Sequence, residues 1–161
     1  MYKKYLGHHA KDLPSSALLF PLLVKQENCT AKVIRTILDT DEDKRAMIFA
    51  GDVPVGAKAQ LMSANFERLI DGAELAAQQA AASIKNLATV SSGLVFMVSC
   101  VGRRMVLKQR AEEELEVVQN TLGDKWTYCG FYSYGEIAGE INQHKCVLHN
   151  QTMTVTALYE S

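Results

Sequence analysis

Residues 66 to 87 constrain the fold more than any other stretch. Phe66, Leu69, Ile70, Ala73, Ala76, Ala77, Ala80, Ile84 and Leu87 recur at i, i+3, i+4, i+7 spacing, which places them on one stripe of a helix. Asn65 stands where a cap can accept a hydrogen bond from an orphan N–H. Gly72 costs such a helix about 1 kcal/mol relative to alanine. The half from Ala76 to Ala82 carries mostly methyl side chains, so this helix can approach a sheet closely. The chain then breaks at Ser91-Ser92-Gly93 and continues as Leu94-Val95-Phe96-Met97-Val98-Ser99, an unbroken apolar strand. A helix followed by a buried strand is the nucleus around which the remaining segments must be placed.

A second helix is predicted over roughly 110 to 122, with Ala111, Leu115, Val118 and Leu122 inward. Glu112, Glu113 and Glu114 crowd its first turn, where the helix dipole favours negative charge, and Gly123 closes it. Upstream, residues 2 to 10 suit one or two helical turns, ended near Pro14 because proline disfavours helix in Leu13. Ala17 to Val24 reads as a strand buried on both faces, with Pro21 marking a bulge or an edge. Lys32 to Leu38 and Ala46 to Ala50 read as a hairpin around the acidic turn 39 to 44, and Lys58 to Met62 as a short strand. After the second helix come strands at 127 to 134, near 145 to 149 and at 151 to 159. Short loops imply antiparallel neighbours except across the two helical crossovers. The expected fold is α+β: a single domain over residues 1 to 161, with a largely antiparallel mixed sheet covered by two main helices.

With 161 residues, 48% of them hydrophobic and 22% charged, the chain is long enough for one sizeable core. A net charge of -1 gives no reason to expect nucleic acid or an anionic membrane as partner. The longest apolar runs, Ala17 to Val24 and Leu94 to Val98, are far too short to span a bilayer, and no signal peptide opens the sequence. The cysteines Cys29, Cys100, Cys129 and Cys146 form no C-x-x-C pair. Three lie in strand-like apolar runs, where free cysteine acts as a small buried hydrophobe. A reducing cytoplasm is the expected setting.

Chemistry-bearing residues concentrate late in the chain. In Cys129-Gly130-Phe131-Tyr132-Ser133-Tyr134-Gly135-Glu136-Ile137, strand alternation puts Tyr128, Gly130, Tyr132 and Tyr134 on one face. A glycine between tyrosines lets a ligand or another backbone come close. Arg103 and Arg104, after Gly102 at a strand's end, suit a carboxylate or phosphate, which a guanidinium binds bidentately. The competing reading pairs them with the glutamates 112 to 116. No G-x-x-x-x-G-K-[ST] loop is present. His144, Cys146 and His149 have a metal-like spacing, but strand alternation separates 144 and 146 from 149, and structural zinc wants four ligands. Cys100, beside two arginines, is a candidate reactive thiol, with Ser133 and His149 as further hydrolase candidates; no G-x-S-x-G elbow supports a triad.

Five segments, in order, carry a resemblance. They are Leu13-Pro14 with Ser16 to Pro21, Phe49-Ala50-Gly51-Asp52-Val53-Pro54, Ser99-Cys100-Val101-Gly102-Arg103, Gly130 to Ile137, and Leu148-His149-Asn150-Gln151-Thr152-Met153-Thr154. Together they resemble the C-terminal domain of the FIST family. The resemblance implies a non-catalytic bacterial intracellular sensory domain that binds a small ligand, amino acids among them. The signal would pass to a partner such as a histidine kinase or chemoreceptor. An N-terminal FIST domain ordinarily precedes this one; the present chain starts at the C-terminal domain. The binding residues expected are Arg103 or Arg104 for a ligand carboxylate and Glu136 for its ammonium. Tyr132 and Tyr134 would supply walls and hydroxyls, and Asn150 and Gln151 neutral hydrogen bonds. No cofactor is required by this reading. Some relatives bind haem and respond to nitric oxide, in which case His149, then His144, is the candidate ligand. A thiol-dependent enzyme using Cys100 is the remaining alternative.

Overall fold

The computed structural model describes residues 1–25, 32–84, 90–139 and 146–160. Helix α1 (Tyr2–Leu6) runs into a 3-10 turn over Gly7–Asp12, and a second 3-10 turn spans Ser15–Leu19. Strands β1 (Leu22–Lys25), β2 (Lys32–Arg35), β3 (Ile37–Asp41), β4 (Ala46–Phe49) and β5 (Lys58–Leu61) follow. Helix α2 (Phe66–Ser83), strand β6 (Gly93–Cys100), helix α3 (Val101–Leu107) and helix α4 (Glu113–Leu122) form the middle of the chain. It ends with β7 (Trp126–Ser133), β8 (Glu136–Gly139), β9 (Cys146–His149) and β10 (Met153–Tyr159). The fold class is α+β, and the strands fall into four small sheets of two or three strands each. All registered pairs are antiparallel except β6 with β7.

The chain forms two compact units, one from residues 1–65 and 137–151, the other from 66–136 and 152–161. In the first, β1 is the central strand of the sheet β2-β1-β5, and β3 and β4 make a separate hairpin. The apolar run before Lys25 is therefore not one strand from residue 17. Ala17 N–H donates to the Pro14 carbonyl and Phe20 N–H to that of Ala17, which curls residues 15 to 19 into a 3-10 turn. Pro21 has no N–H for a ladder, and β1 begins only after it. The predicted hairpin is also redistributed. Residues 32–35 pair with β1, and only β3 pairs with β4, with a bulge between Ile37 and Asp39. Thr36 makes the break: its N–H donates to the Asn150 side-chain carbonyl, and its own carbonyl accepts from Ala50 N–H.

In the second unit, β6 is the central strand of the sheet β10-β6-β7. One face of that sheet carries Val95, Met97, Trp126 and Met153 into a core shared with Ala73, Ala77 and Ile84 of the α2 segment and Val118 and Leu122 of α4. The alanine half of α2 is what allows this close packing, because a larger side chain at Ala73 or Ala77, both fully buried, would hold the helix off the sheet. The expected Leu87 end lies outside the described residues. The opposite sheet face holds Leu94, Phe96 and Val98 in its middle row, flanked by Thr127, Cys129 and Phe131 of β7. Cys129 and Cys146 are exposed rather than buried; Cys100 is buried, and Cys29 lies outside the described residues. No helix among the described residues is long and apolar enough to cross a membrane.

Candidate functional site

The residues after β6 form a helix, not a turn. Cys100 is the N-cap residue of α3, and the helix carries Gly102, Arg103 and Arg104 on successive positions. Arg103 is therefore turned inward and Arg104 outward, so two adjacent arginines have different fates. Arg103 is 4% exposed and pairs with Glu114, which is fully buried. Its Nε donates to Glu114 Oε1 at 2.6 Å, and its Nη2 donates to the Leu69 carbonyl in α2. The second oxygen of Glu114 accepts from Ser99 Oγ at 3.0 Å. This network joins α2, α3, α4 and β6 through one ion pair. Of the two readings that the sequence left open for Arg103, the structure displays the pairing with a glutamate of the 112–116 cluster.

Arg104 is exposed and lays its guanidinium over the Tyr132 ring, 4.9 Å from the ring centroid, a cation–π contact. The Tyr132 phenol is held above its ordinary range, chiefly by burial and next by the Glu114 carboxylate; Arg104 and Arg103 pull the other way. It stays a neutral hydroxyl that can donate or accept. Beside it, a cavity of about 270 Å³ opens between α4 and the core face of β6 and β7. Leu115 and Gln119, one turn apart on α4, form one wall; Met97 and Ser99 of β6 and the run Tyr128 to Tyr132 form the other, with Met153 at the end. The floor includes Gly130. A Cβ there would sit 1.9 Å from the Met97 carbonyl oxygen, so the neighbouring backbone uses the room that the missing side chain leaves. Tyr128 and Tyr132 share the cavity, and the Tyr128 hydroxyl is anchored to the Gly123 carbonyl at 2.6 Å. Tyr134 lies past the end of β7 and is 85% exposed.

Glu136 is 1% exposed and accepts from three donors: Ser133 Oγ reaches Oε1 at 2.6 Å, while Thr152 Oγ1 and Thr152 N–H reach Oε2 at 2.8 and 3.4 Å. In the other unit, His149 ends β9 and is half-buried, with Asn150 and Gln151 buried just after it. Asn150 Oδ1 accepts from Thr36 N–H, and Gln151 Nε2 donates to the Leu18 carbonyl at 2.8 Å. Gln151 adopts a φ of 53°, in the left-handed region that a non-glycine residue rarely occupies. Buried Arg35 binds the carbonyls of Asp52 and Leu148, at the side of Gly51, where a Cβ would come within 3.1 Å of the guanidinium. Burial lowers the Arg35 pKa, against the attraction of Asp52.

Three further candidates can now be located. Cys100 is buried at the start of α3, in the unit that does not contain His149. Among the described residues no group of three His, Cys, Asp or Glu could hold a metal ion, and His144 lies outside them. A second cavity of about 380 Å³, between residues 1–3 and the β3–β4 hairpin, is lined by Tyr2, Lys3, Glu42 and Arg45 among others. Neither of these two cavities is lined by His149.

The family profile described as "FIST C domain" matches residues 1–139. The chain belongs to the FIST C domain family. It is thus a sensory signal-transduction domain of a generally non-catalytic kind. No curated protein and no solved structure matches it. The sequence offered Glu114 only as one of the glutamates 112 to 116 that could pair with the arginines, and it did not single out Ser99 or Gln119 as site residues. Only the four-residue spacing of Leu115 and Gln119 could have pointed to a shared helix face.

Proposed function

We propose that this FIST C domain is the input module of a bacterial cytoplasmic signalling protein and that it binds a small ligand, of amino-acid size, in the cavity between α4 and the β6–β7 pair. The cavity carries the reading. Its volume, about 270 Å³, is at the small end for ligand sites, and its apolar walls are interrupted by a few convergent polar groups: Ser99, Gln119 and Tyr132. Arg104, exposed beside Tyr132, has guanidinium donors to offer a carboxylate. Glu136 does not line this cavity and accepts from Ser133 Oγ, Thr152 Oγ1 and Thr152 N–H, so the ammonium group falls to the polar groups that do line it, Ser99, Gln119 and the Tyr132 hydroxyl.

Signalling needs a ligand that favours one of two conformations. The Ser99–Glu114–Arg103 chain supplies the coupling path, since Ser99 both lines the cavity and bonds Glu114. The output is taken up by a partner such as a histidine kinase or chemoreceptor, with an N-terminal FIST domain alongside. The test is a thermal-shift screen of free amino acids. A ligand at about 100 times its Kd stabilises the folded state by roughly 2.7 kcal/mol. Arg104→Ala should remove about 1.5–3 kcal/mol of ligand affinity if the carboxylate bond forms. Absence of any shift across the panel, or shifts indifferent to Arg104→Ala and Gln119→Ala, would refute the site.

A further inference from the structure

The cavity of about 380 Å³ lies wholly within the first unit, and its size falls in the range of small-molecule pockets. Thr40, Asp41 and Glu42 at the end of β3 line one part of it, and Arg45 to Met47, where the chain enters β4, another. Tyr2 and Lys3 of α1 face them. The carboxylates here are already matched by cations of the chain. Lys3 Nζ is ion-paired with Glu42 Oε1, which also accepts from Thr40 Oγ1 at 3.3 Å. Asp41 accepts from the Lys44 N–H at 2.9 Å and holds the Lys44 ammonium at 3.1 Å. The Arg45 guanidinium is exposed and has no hydrogen-bond or ion-pair partner among the described residues. The lining therefore keeps one unmatched positive charge.

The backbone makes a second, independent observation. Residues 42–45 close the hairpin, Arg45 N–H donates to the Glu42 carbonyl at 3.3 Å, and Arg45 itself has φ 51°. Glycine or asparagine is the ordinary occupant of that left-handed region. Arginine there sets a guanidinium at the cavity at a conformational cost that closing the hairpin does not require. The rest of the wall is apolar: the Tyr2 ring, Ala46 and Met47. The Tyr2 hydroxyl is turned to the Phe20 carbonyl at 2.9 Å, and burial lifts its phenol to about 12, so it stays uncharged near neutral pH. We infer that this cavity is a binding site for a small monocarboxylate with an apolar body, its carboxylate on Arg45 and its body against Tyr2, Ala46 and Met47. A guanidinium meets a carboxylate with two parallel N–H···O bonds. A phosphate dianion fits poorly, because one unmatched cation neutralises one charge and Asp41 and Glu42 repel the other. A free amino acid fits poorly too, since its ammonium group finds both carboxylates taken. The site stands whether or not the cavity beside α4 binds a ligand.

Titration of the isotope-labelled chain with sodium benzoate through the millimolar range, followed by amide nuclear magnetic resonance, tests it. The resonances of Lys3, Thr40 and residues 42–47 should move and saturate. Benzyl alcohol, which keeps the ring and loses the charge, should leave them in place, as should inorganic phosphate and glycine at matched ionic strength. Arg45→Gly should weaken benzoate binding by about tenfold or more, while its melting temperature does not fall, because glycine accepts the left-handed backbone. Arg45→Gln, which keeps most of the side chain's reach without its charge, should lose the same affinity. Arg104→Ala should leave the titration unchanged. No saturable shift at these residues, equal binding of benzyl alcohol, phosphate or glycine, or undiminished affinity in both Arg45 variants overturns the inference.

Discussion

Removing the carboxylate of Glu114 leaves the Arg103 guanidinium buried without its counter-charge. Breaking a buried pair from one side costs about 3–5 kcal/mol, so Glu114→Gln should lower the urea midpoint steeply with little change in slope. The neighbouring arginine should behave differently. Arg104→Ala removes an exposed cation–π contact, worth about 0.5–1 kcal/mol, and unfolding should barely register it. Tyr2 gives the chain a titration at high pH. Burial raises its phenol from the ordinary 10.0 to about 12, and its hydroxyl donates to the Phe20 carbonyl. Below pH 10 this contribution to stability is fully present. Between 10 and 12 the unfolded chain has given up a proton that the folded chain keeps, so stability falls as pH rises. Alkaline unfolding followed by tyrosinate absorbance should show that decline, and Tyr2→Phe should flatten it.

At the scale of elements, two glycines separate backbone strain from steric exclusion. Gly123, after α4, has φ 88° and ψ -177°, and a Cβ added there would meet nothing within 4 Å, so Gly123→Ala costs only what the conformation imposes, about 1–3 kcal/mol. Gly130→Ala drives a methyl group into the Met97 carbonyl and must part β6 from β7, an overpacking cost of about 1–3 kcal/mol that should also reshape the cavity. Chemical denaturation measures both losses; only the second variant should also lose ligand response. The sequence announced Gly123 through its position after a helical stripe, and α2, α4, β6 and β10 through periodicity. It did not announce α3, because Val101 to Leu107 is too short to show a stripe and its arginines read as polar turn residues. Nor did it show that α4 turns Glu114 rather than Leu115 into the core, since the partner Arg103 sits eleven positions away and only the folded chain brings it there. The run from Ala17 to Val24 looked continuous because apolar composition cannot distinguish a 3-10 turn from a strand.

For the molecule as a whole, the chain leaves its second unit after Glu136 and returns at Thr152. A chain ended at Glu136 would lose β10 from the β6 edge, and with it Asn150 and Gln151, whose side chains bond Thr36 and Leu18. Both units should then fail to fold cooperatively, visible as a broad urea transition and lost near-ultraviolet circular dichroism. The contact between Glu136 and Thr152 has another consequence. These residues are the exit and re-entry points of the second unit, and a carboxylate–hydroxyl bond of 2.8 Å fastens one to the other. To the second unit, residues 137–151 are an excursion whose two ends already meet. Replacing that excursion with a short glycine-rich bridge should therefore yield the 66–136 and 152–161 segments as one autonomous folding piece. The junction would also accept a foreign domain, spliced in with little disturbance to the sheet beneath it.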